Sequence, residues 1–270
     1  MTTTARSDVL SRPSLLAFLG GWMIRMAHEA RGMYRLFAIT LYYCARGRRD
    51  RRAVLQQMYE IGNRSLVFLC VVMGFIGMIL VYQGGLQTRR VVPDLSLLGA
   101  SFVEILVRDL GASICALMLA TRVGAGIAAE IGSMVVTEQV DALKMCATDP
   151  VDYLVKPRFL ATLVTFFALV VLASCVAFLT GMWTARAFFD LTPDTFANVS
   201  LVDTGDLVVG LAKCFAYGAA IPVISAYAGL NAYGGSEGVG AATTRAVVSS
   251  SLAVIVLNFL ISSAGYFVFG

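Results

Sequence analysis

Apolar and polar positions alternate on three different scales along this chain. Within residues 13–45, Leu19, Trp22, Met23, Met26, Ala30, Met33, Tyr34 and Phe37 recur at steps of three and four. Arg25, His28, Glu29 and Arg35 take the opposite face. That period predicts a helix lying in a membrane interface with its apolar side down. A basic elbow, RGRRDRR, follows at 46–52, and a short amphipathic stretch leads to Arg64. Beyond it the pattern changes to five long apolar spans, at about 66–86, 97–121, 158–185, 207–230 and 247–269, each of the length that crosses a hydrocarbon core of about 30 Å. The second and third run on past the bilayer into a polar centre.

Composition supports this division. Of 270 residues 58% are hydrophobic and only 14% charged, with a mean hydropathy of +0.78, too little charge to clothe a soluble domain. The expected class is an all-α membrane protein: an N-terminal interfacial helix plus five transmembrane helices, with residues 1–12 a polar tail that carries no signal-peptide core. Positive charge orients it. Arg46, Arg48, Arg49, Arg51 and Arg52 precede the first span, and Arg122, Lys144, Lys156 and Arg158 flank the centre, whereas the 190–206 loop holds Asp190, Asp194, Asp203 and Asp206 without a basic residue. The N-terminus and the centre should therefore be cytoplasmic and the C-terminus outside, with Arg89 and Arg90 running against the rule. The six cysteines are scattered without metal-like spacing and read as small buried hydrophobes.

The polar centre, TEQVDALKMCATDPVDYLVKPR at 137–158, has the punctuation of a built element. Thr137 can cap a helix whose first turn holds Glu138 and Asp141. Val140, Leu143 and Ala147 share one face, and Glu138, Asp141 and Met145 another. Asp149-Pro150 supplies a stop and a new cap, and Pro157 should break the chain again before the third span. A short docking helix at about 137–147, held between two spans, is the expectation.

Other motifs carry less. GAGIAA at 124–129 imitates a dinucleotide fingerprint, but a membrane span precedes it where that fingerprint needs a strand; close helix packing accounts for it better. The same holds for GVGAATT at 238–244, and such small-residue faces on the second and fifth spans would suit a dimer contact. There is no Walker A sequence, so ATP hydrolysis would belong to another chain. Glu104, Arg108 and Asp109 fall inside the second span, where an ionisable side chain costs about 2.5–3.5 kcal/mol on insertion scales. Arg108 could pair with Glu104 one turn earlier, or meet a lipid phosphate. Lys213 could snorkel outward or reach the same cavity. A secondary transporter using Glu104 and Asp109 as a proton relay is the alternative class, against which stands the absence of broken, inverted-repeat helices.

The segment RVGAGIAAEIGSMVVTEQVDALKMCATDPVDYLVKPR at 122–158 resembles the signature of the MlaE/YrbE permeases, membrane subunits of ATP-binding-cassette transporters that move lipids with MCE-domain partners. FIGMIL with Gln83, LVRDLGA at 106–112 and EGVGAATTRAVVSSSLAV at 237–254 extend the likeness over most of residues 50–265. The resemblance implies an interfacial helix and elbow over 13–64 and a permease domain over 65–270. It implies ATPase coupling through Glu138, Gln139, Asp141, Leu143 and Met145, and a lipid site at Arg108, Asp109, Leu80 and Val81, to which the charges of the spans add Glu104 and Lys213. Asp109 and Ala112 replace the Glu and Pro of the family's RELGP-like motif. The implied assembly is a homodimer in the bacterial inner membrane with ATPase subunits inside, an MCE protein in the periplasm and a small STAS-type regulator. Phospholipid would be the cargo, serving outer-membrane lipid asymmetry. No metal, nucleic acid or cofactor is implied for this chain; ATP and Mg would sit in the partner ATPase.

Overall fold

A computed structural model describes residues 15–46, 51–91, 97–198 and 200–269. The polar tail at 1–12 and residues 47–50 of the basic elbow lie outside the described residues, as do the side chains of Leu19, Trp22, Arg25 and Met26. Everything regular among the described residues is helical. In chain order come α1 (Leu15–Arg46), α2 (Arg51–Val91), α3 (Leu98–Ile105), π1 (Leu106–Leu110), α4 (Gly111–Leu119), π2 (Ala120–Gly124) and α5 (Ala125–Val136). Then follow α6 (Gln139–Met145), π3 (Val151–Val155), α7 (Lys156–Phe189), α8 (Pro193–Phe196), α9 (Thr204–Leu230) and α10 (Gly235–Phe269).

Four helical runs are long and apolar enough to cross a membrane: Arg51–Arg90, Val151–Phe189, Thr204–Leu230 and Gly235–Phe269. The remaining expected span is there as a continuous helical run from α3 to α5, widened twice by π segments. The amphipathic stretch before Arg64 is the first third of α2, a single 41-residue helix.

α2 and α7 form the central pair. Gly77 brings them so close that a Cβ there would lie 2.3 Å from the Ala177 carbonyl oxygen, and the Thr180 hydroxyl donates across the contact to the Gly74 carbonyl at 2.9 Å. Close backbone approach of this kind is how helices associate where lipid offers no hydrophobic drive. α9 and α10 pack on α5 through Ala128, Ala228 and Ala246 and through Ser225 and Ser250, whose hydroxyls lie 3.4 Å apart. Ala246 and Ser250 of the fifth span thus serve contacts inside the chain, while Gly240 and Ala241 stay exposed. Further along, what α10 turns outward is bulky: Leu252, Ile255, Val256, Phe259 and Leu260 are all exposed.

α1 does more than float. Leu36 and Thr40 are buried, the Phe37 ring meets Phe159 edge-on with centroids 6.2 Å apart, and Gly32 sits under the Tyr227 ring. Its exposed Met23, Ile24 and Tyr34 keep the interfacial character that its period predicts.

Candidate functional site

The first π segment carries the charges. In π1 the Gly111 amide bonds to the Leu106 carbonyl five residues back, widening the turn, and the displaced Val107 carbonyl presses on α9. Gly210 makes room for it: a Cβ there would stand 2.4 Å from the Val107 oxygen. π-bulges of this sort recur at functional sites. Here the bulge turns two consecutive charges, Arg108 and Asp109, toward one helix.

Both find partners there. Arg108 Nη1 lies 3.2 Å from Asp206 Oδ1, and Lys213 Nζ donates to Asp109 Oδ1 at 2.6 Å. Asp206 and Lys213 stand two turns apart on α9, so the four groups alternate in sign, Asp206–Arg108–Asp109–Lys213, and cancel. Ser113 donates to the same Asp109 oxygen at 3.1 Å, Asn258 of α10 faces that carboxylate, and Tyr217 approaches Ser113. Each end of this ladder differs in exposure. Lys213 is wholly buried, whereas the Arg108 side chain is 40% exposed.

Two expectations are corrected here. Arg108 does not pair with Glu104; the π turn swings it onto α9, and Glu104, half-buried, is left outside the ladder. Lys213 neither snorkels nor opens to solvent, because Asp109 holds it inside. Asp206 was read as one more charge of an acidic outer loop. It is in fact the third residue of α9, and its Oδ2 accepts the Asp203 amide at 3.1 Å in a capping box. The Asp-x-x-Asp spacing at 203–206 was the signal that could have found it. With Asp109 engaged by Lys213, nothing in the site favours a Glu104–Asp109 proton relay.

Between α2 and the α3–π1 run lies an apolar groove of about 370 Å³. Leu80 and Val81 line it with Phe102, Ile105 and Leu110, and Gln83, Gln87, Thr88 and Ser101 supply polar side chains. Ile105 and Leu110 bracket Arg108 in the chain, so the groove and the exposed guanidinium belong to one stretch of helix.

The polar centre forms a second candidate surface. α6 spans Gln139–Met145, shorter than the 137–147 expected, and Thr137 does not cap it. The Thr137 hydroxyl donates back to the Ser133 carbonyl at 2.8 Å and closes α5, while Glu138 takes a left-handed φ of 60° to start α6. Val140 is buried and Leu143 half-buried against the body; Glu138, Gln139 and Asp141 are exposed, and Met145 stands 89% exposed. Asp149 does act as a cap, its Oδ1 accepting the Val151 amide at 2.8 Å. Pro157, however, does not break the chain. It lies in the first turn of α7, directly after the π3 turn, in which the Lys156 amide donates to the Val151 carbonyl.

Four contacts unread in the sequence fix this hairpin. Arg158, buried at the base of α7, lies 2.9 Å from Glu130 Oε2 on α5 and donates to the Leu154 carbonyl at 2.7 Å. Lys156 pairs with Asp152 one turn back. The Tyr43 hydroxyl of α1 donates to Asp149 Oδ2 at 2.6 Å, which together with the neighbouring negative charge of Asp152 holds the phenol above its ordinary pKa. Among the described residues no cluster of His, Cys, Asp and Glu could hold a metal.

Residues 54–264 match the family described as Permease MlaE. A probable ABC transporter permease protein of Synechocystis is 36% identical over 226 residues, covering 80% of this chain and 82% of its own length. A probable ABC transporter permease protein of Rickettsia felis is 37% identical over 213 residues, covering 77% and 81%. The intermembrane phospholipid transport system permease protein MlaE of Haemophilus influenzae is 32% identical over 216 residues, covering 78% and 81%. With most of its length matched, including the π1 ladder, the groove and the α5–α6–α7 hairpin, the chain belongs to the MlaE permease family.

Proposed function

We propose that this chain is the membrane-spanning permease of an ATP-driven transporter whose cargo is a phospholipid. The observation that carries this is a half-exposed arginine on a π turn of the same helical run whose Phe102, Ile105 and Leu110 line an apolar groove of about 370 Å³. Acyl tails lie against Leu80 and Val81, and the phosphate meets Arg108, whose guanidinium favours oxyanions. Asp109 and Lys213 hold the π turn in place, and Glu104 lies on the same helical run one turn earlier. The named function of the Haemophilus relative, intermembrane phospholipid transport, supports the cargo class.

Two copies work together in the bacterial inner membrane, N-termini in the cytoplasm and C-termini in the periplasm. An ATPase subunit, holding ATP and Mg, docks on α6 through Glu138, Gln139, Asp141 and Met145, with Leu143 seating the helix on the body. An MCE protein receives or delivers lipid outside, for the upkeep of outer-membrane asymmetry, and a STAS-type subunit regulates the ATPase. Reversing Glu138 and Asp141 together to Lys should abolish lipid-stimulated ATP hydrolysis by the reconstituted complex while leaving the permease folded. Normal stimulation in that variant would remove α6 from the coupling path.

A further inference from the structure

We infer that Asp206 is the carboxylate a lipid phosphate must displace, and so sets how tightly and how long this permease holds an anionic headgroup. The inference rests on the proposal that Arg108 meets that headgroup. Of the two ion pairs in the ladder, Lys213–Asp109 is short, at 2.6 Å, and its cation is completely buried. Arg108–Asp206 is longer, at 3.2 Å, and here the cation is the exposed member, 40% against 9% for Asp206, whereas in the first pair the exposed member is the Asp109 carboxylate. The second pair is therefore the exchangeable one: it is the longer of the two, and its exposed member is the guanidinium, which a competing oxyanion can reach.

Asp206 can release Arg108 without being left unsolvated of partners. Its Oδ2 already accepts the Asp203 amide in the first turn of α9, where a carboxylate is favoured by the helix dipole. Arg108, for its part, passes from one oxyanion to another, so the guanidinium is never bare. A neutral lipid such as diacylglycerol has no oxygen anion to offer and leaves the pair closed. Because only the open fraction of Arg108 binds, the apparent affinity for phospholipid is lowered by that fraction.

The sign of this prediction is unusual: removing the Asp206 charge should strengthen lipid binding. In the purified full-length permease, Asp206→Asn should bind fluorescent phosphatidylglycerol about three- to tenfold more tightly and release it more slowly, with diacylglycerol binding unchanged. Arg108→Ala should lose phosphatidylglycerol, and Arg108→Ala with Asp206→Asn should show no gain over Arg108→Ala alone. If Arg108→Ala loses lipid but Asp206→Asn gains none, the exchange is wrong and the headgroup role stands. If Arg108→Ala keeps its lipid, the headgroup role itself is wrong, and this inference falls with it. A measurement on the unaltered chain guards against a variant that does not fold. Loading with phosphatidylglycerol, and not with diacylglycerol, should speed amide exchange at 204–208 as Asp206 lets go; slower exchange there would overturn the inference.

Discussion

Two π turns, π1 and π3, sit in opposite halves of this molecule and are held by opposite means. π3 is written largely into its own neighbourhood, with Tyr43 of α1 and Glu130 of α5 bracing its two ends. Asp149 caps it, Pro150 opens it, Asp152 pairs with Lys156 within it, and Pro157 removes the amide that an α-helical turn would need. π1 has no such local cause beyond Gly111. Its widened turn is held by residues about a hundred positions away: Gly210, which admits the Val107 carbonyl, and Asp206 and Lys213, which take Arg108 and Asp109. A turn fixed by its own sequence stays rigid whatever its neighbours do, as a lever between α5 and α7 should. A turn fixed by another helix changes when that helix moves, as a site that takes and releases cargo should.

The sharpest way to break this contrast is to unpair the buried end of the ladder. Asp109→Asn leaves the Lys213 ammonium buried with no counter-charge. Removing one partner of a buried pair costs about 3–5 kcal/mol, and the lower end applies because the Asp109 carboxylate is partly exposed. The folded fraction surviving heating in detergent should fall accordingly. Asp109→Leu with Lys213→Met, which removes both charges, should recover much of it. A single variant as heat-resistant as the parent would mean that α9 does not hold π1 through charge.

The contrast also marks how far the sequence could be read. The long helices, the N-terminal amphipathic helix, the short helix of the polar centre and the Asp149 cap were legible because each rests on period or on punctuation within a few residues. Pro157 was legible as a disturbance but not in its outcome, since a π turn and a break begin from the same missing amide. Arg108, Asp109 and Lys213 stood out because charge in a span is costly, and Leu80 and Val81 only through the family resemblance. Their partners could not be chosen. Glu104 stands at a favourable spacing from Arg108 on an ideal α-helix, and that spacing fails once the π turn adds a residue. Asp206 and Glu130 were hidden for the same reason, because nothing local ties them to Arg108 or Arg158.

A smaller effect separates close packing at π1 from small residues elsewhere. Gly210→Ala would set a Cβ 2.4 Å from the Val107 oxygen, a backbone atom that cannot turn aside. Overpacking of this kind costs about 1–3 kcal/mol, and the π1 turn should shift with it, lowering phospholipid co-purification. Gly126→Ala, on the exposed face of α5 with nothing within 4 Å, should be neutral or slightly stabilising, because alanine favours the helix. Equal melting of the two variants would show that π1 does not depend on the approach of α9.

The mildest test perturbs nothing. Cys146 is exposed where α6 ends, and Cys44 is half-buried near the Tyr43–Asp149 contact, with burial pushing its thiol above the ordinary pKa. The thiolate is the reactive form, so at neutral pH a maleimide should modify Cys146 first and Cys44 slowly. Raising the pH should narrow the difference, because Cys44 then ionises. The same native thiol reports sidedness. In intact cells a membrane-impermeant maleimide should leave Cys146 untouched, and in inverted vesicles it should label Cys146 fully, since α6 is proposed to face the cytoplasm. Tyr43→Phe then sharpens the comparison of the two π turns: if π3 is fixed by its own residues, losing the α1 contact should quicken Cys44 labelling and leave amide exchange at 151–155 unchanged. Faster exchange across π3 in that variant would show that it, like π1, leans on a distant helix.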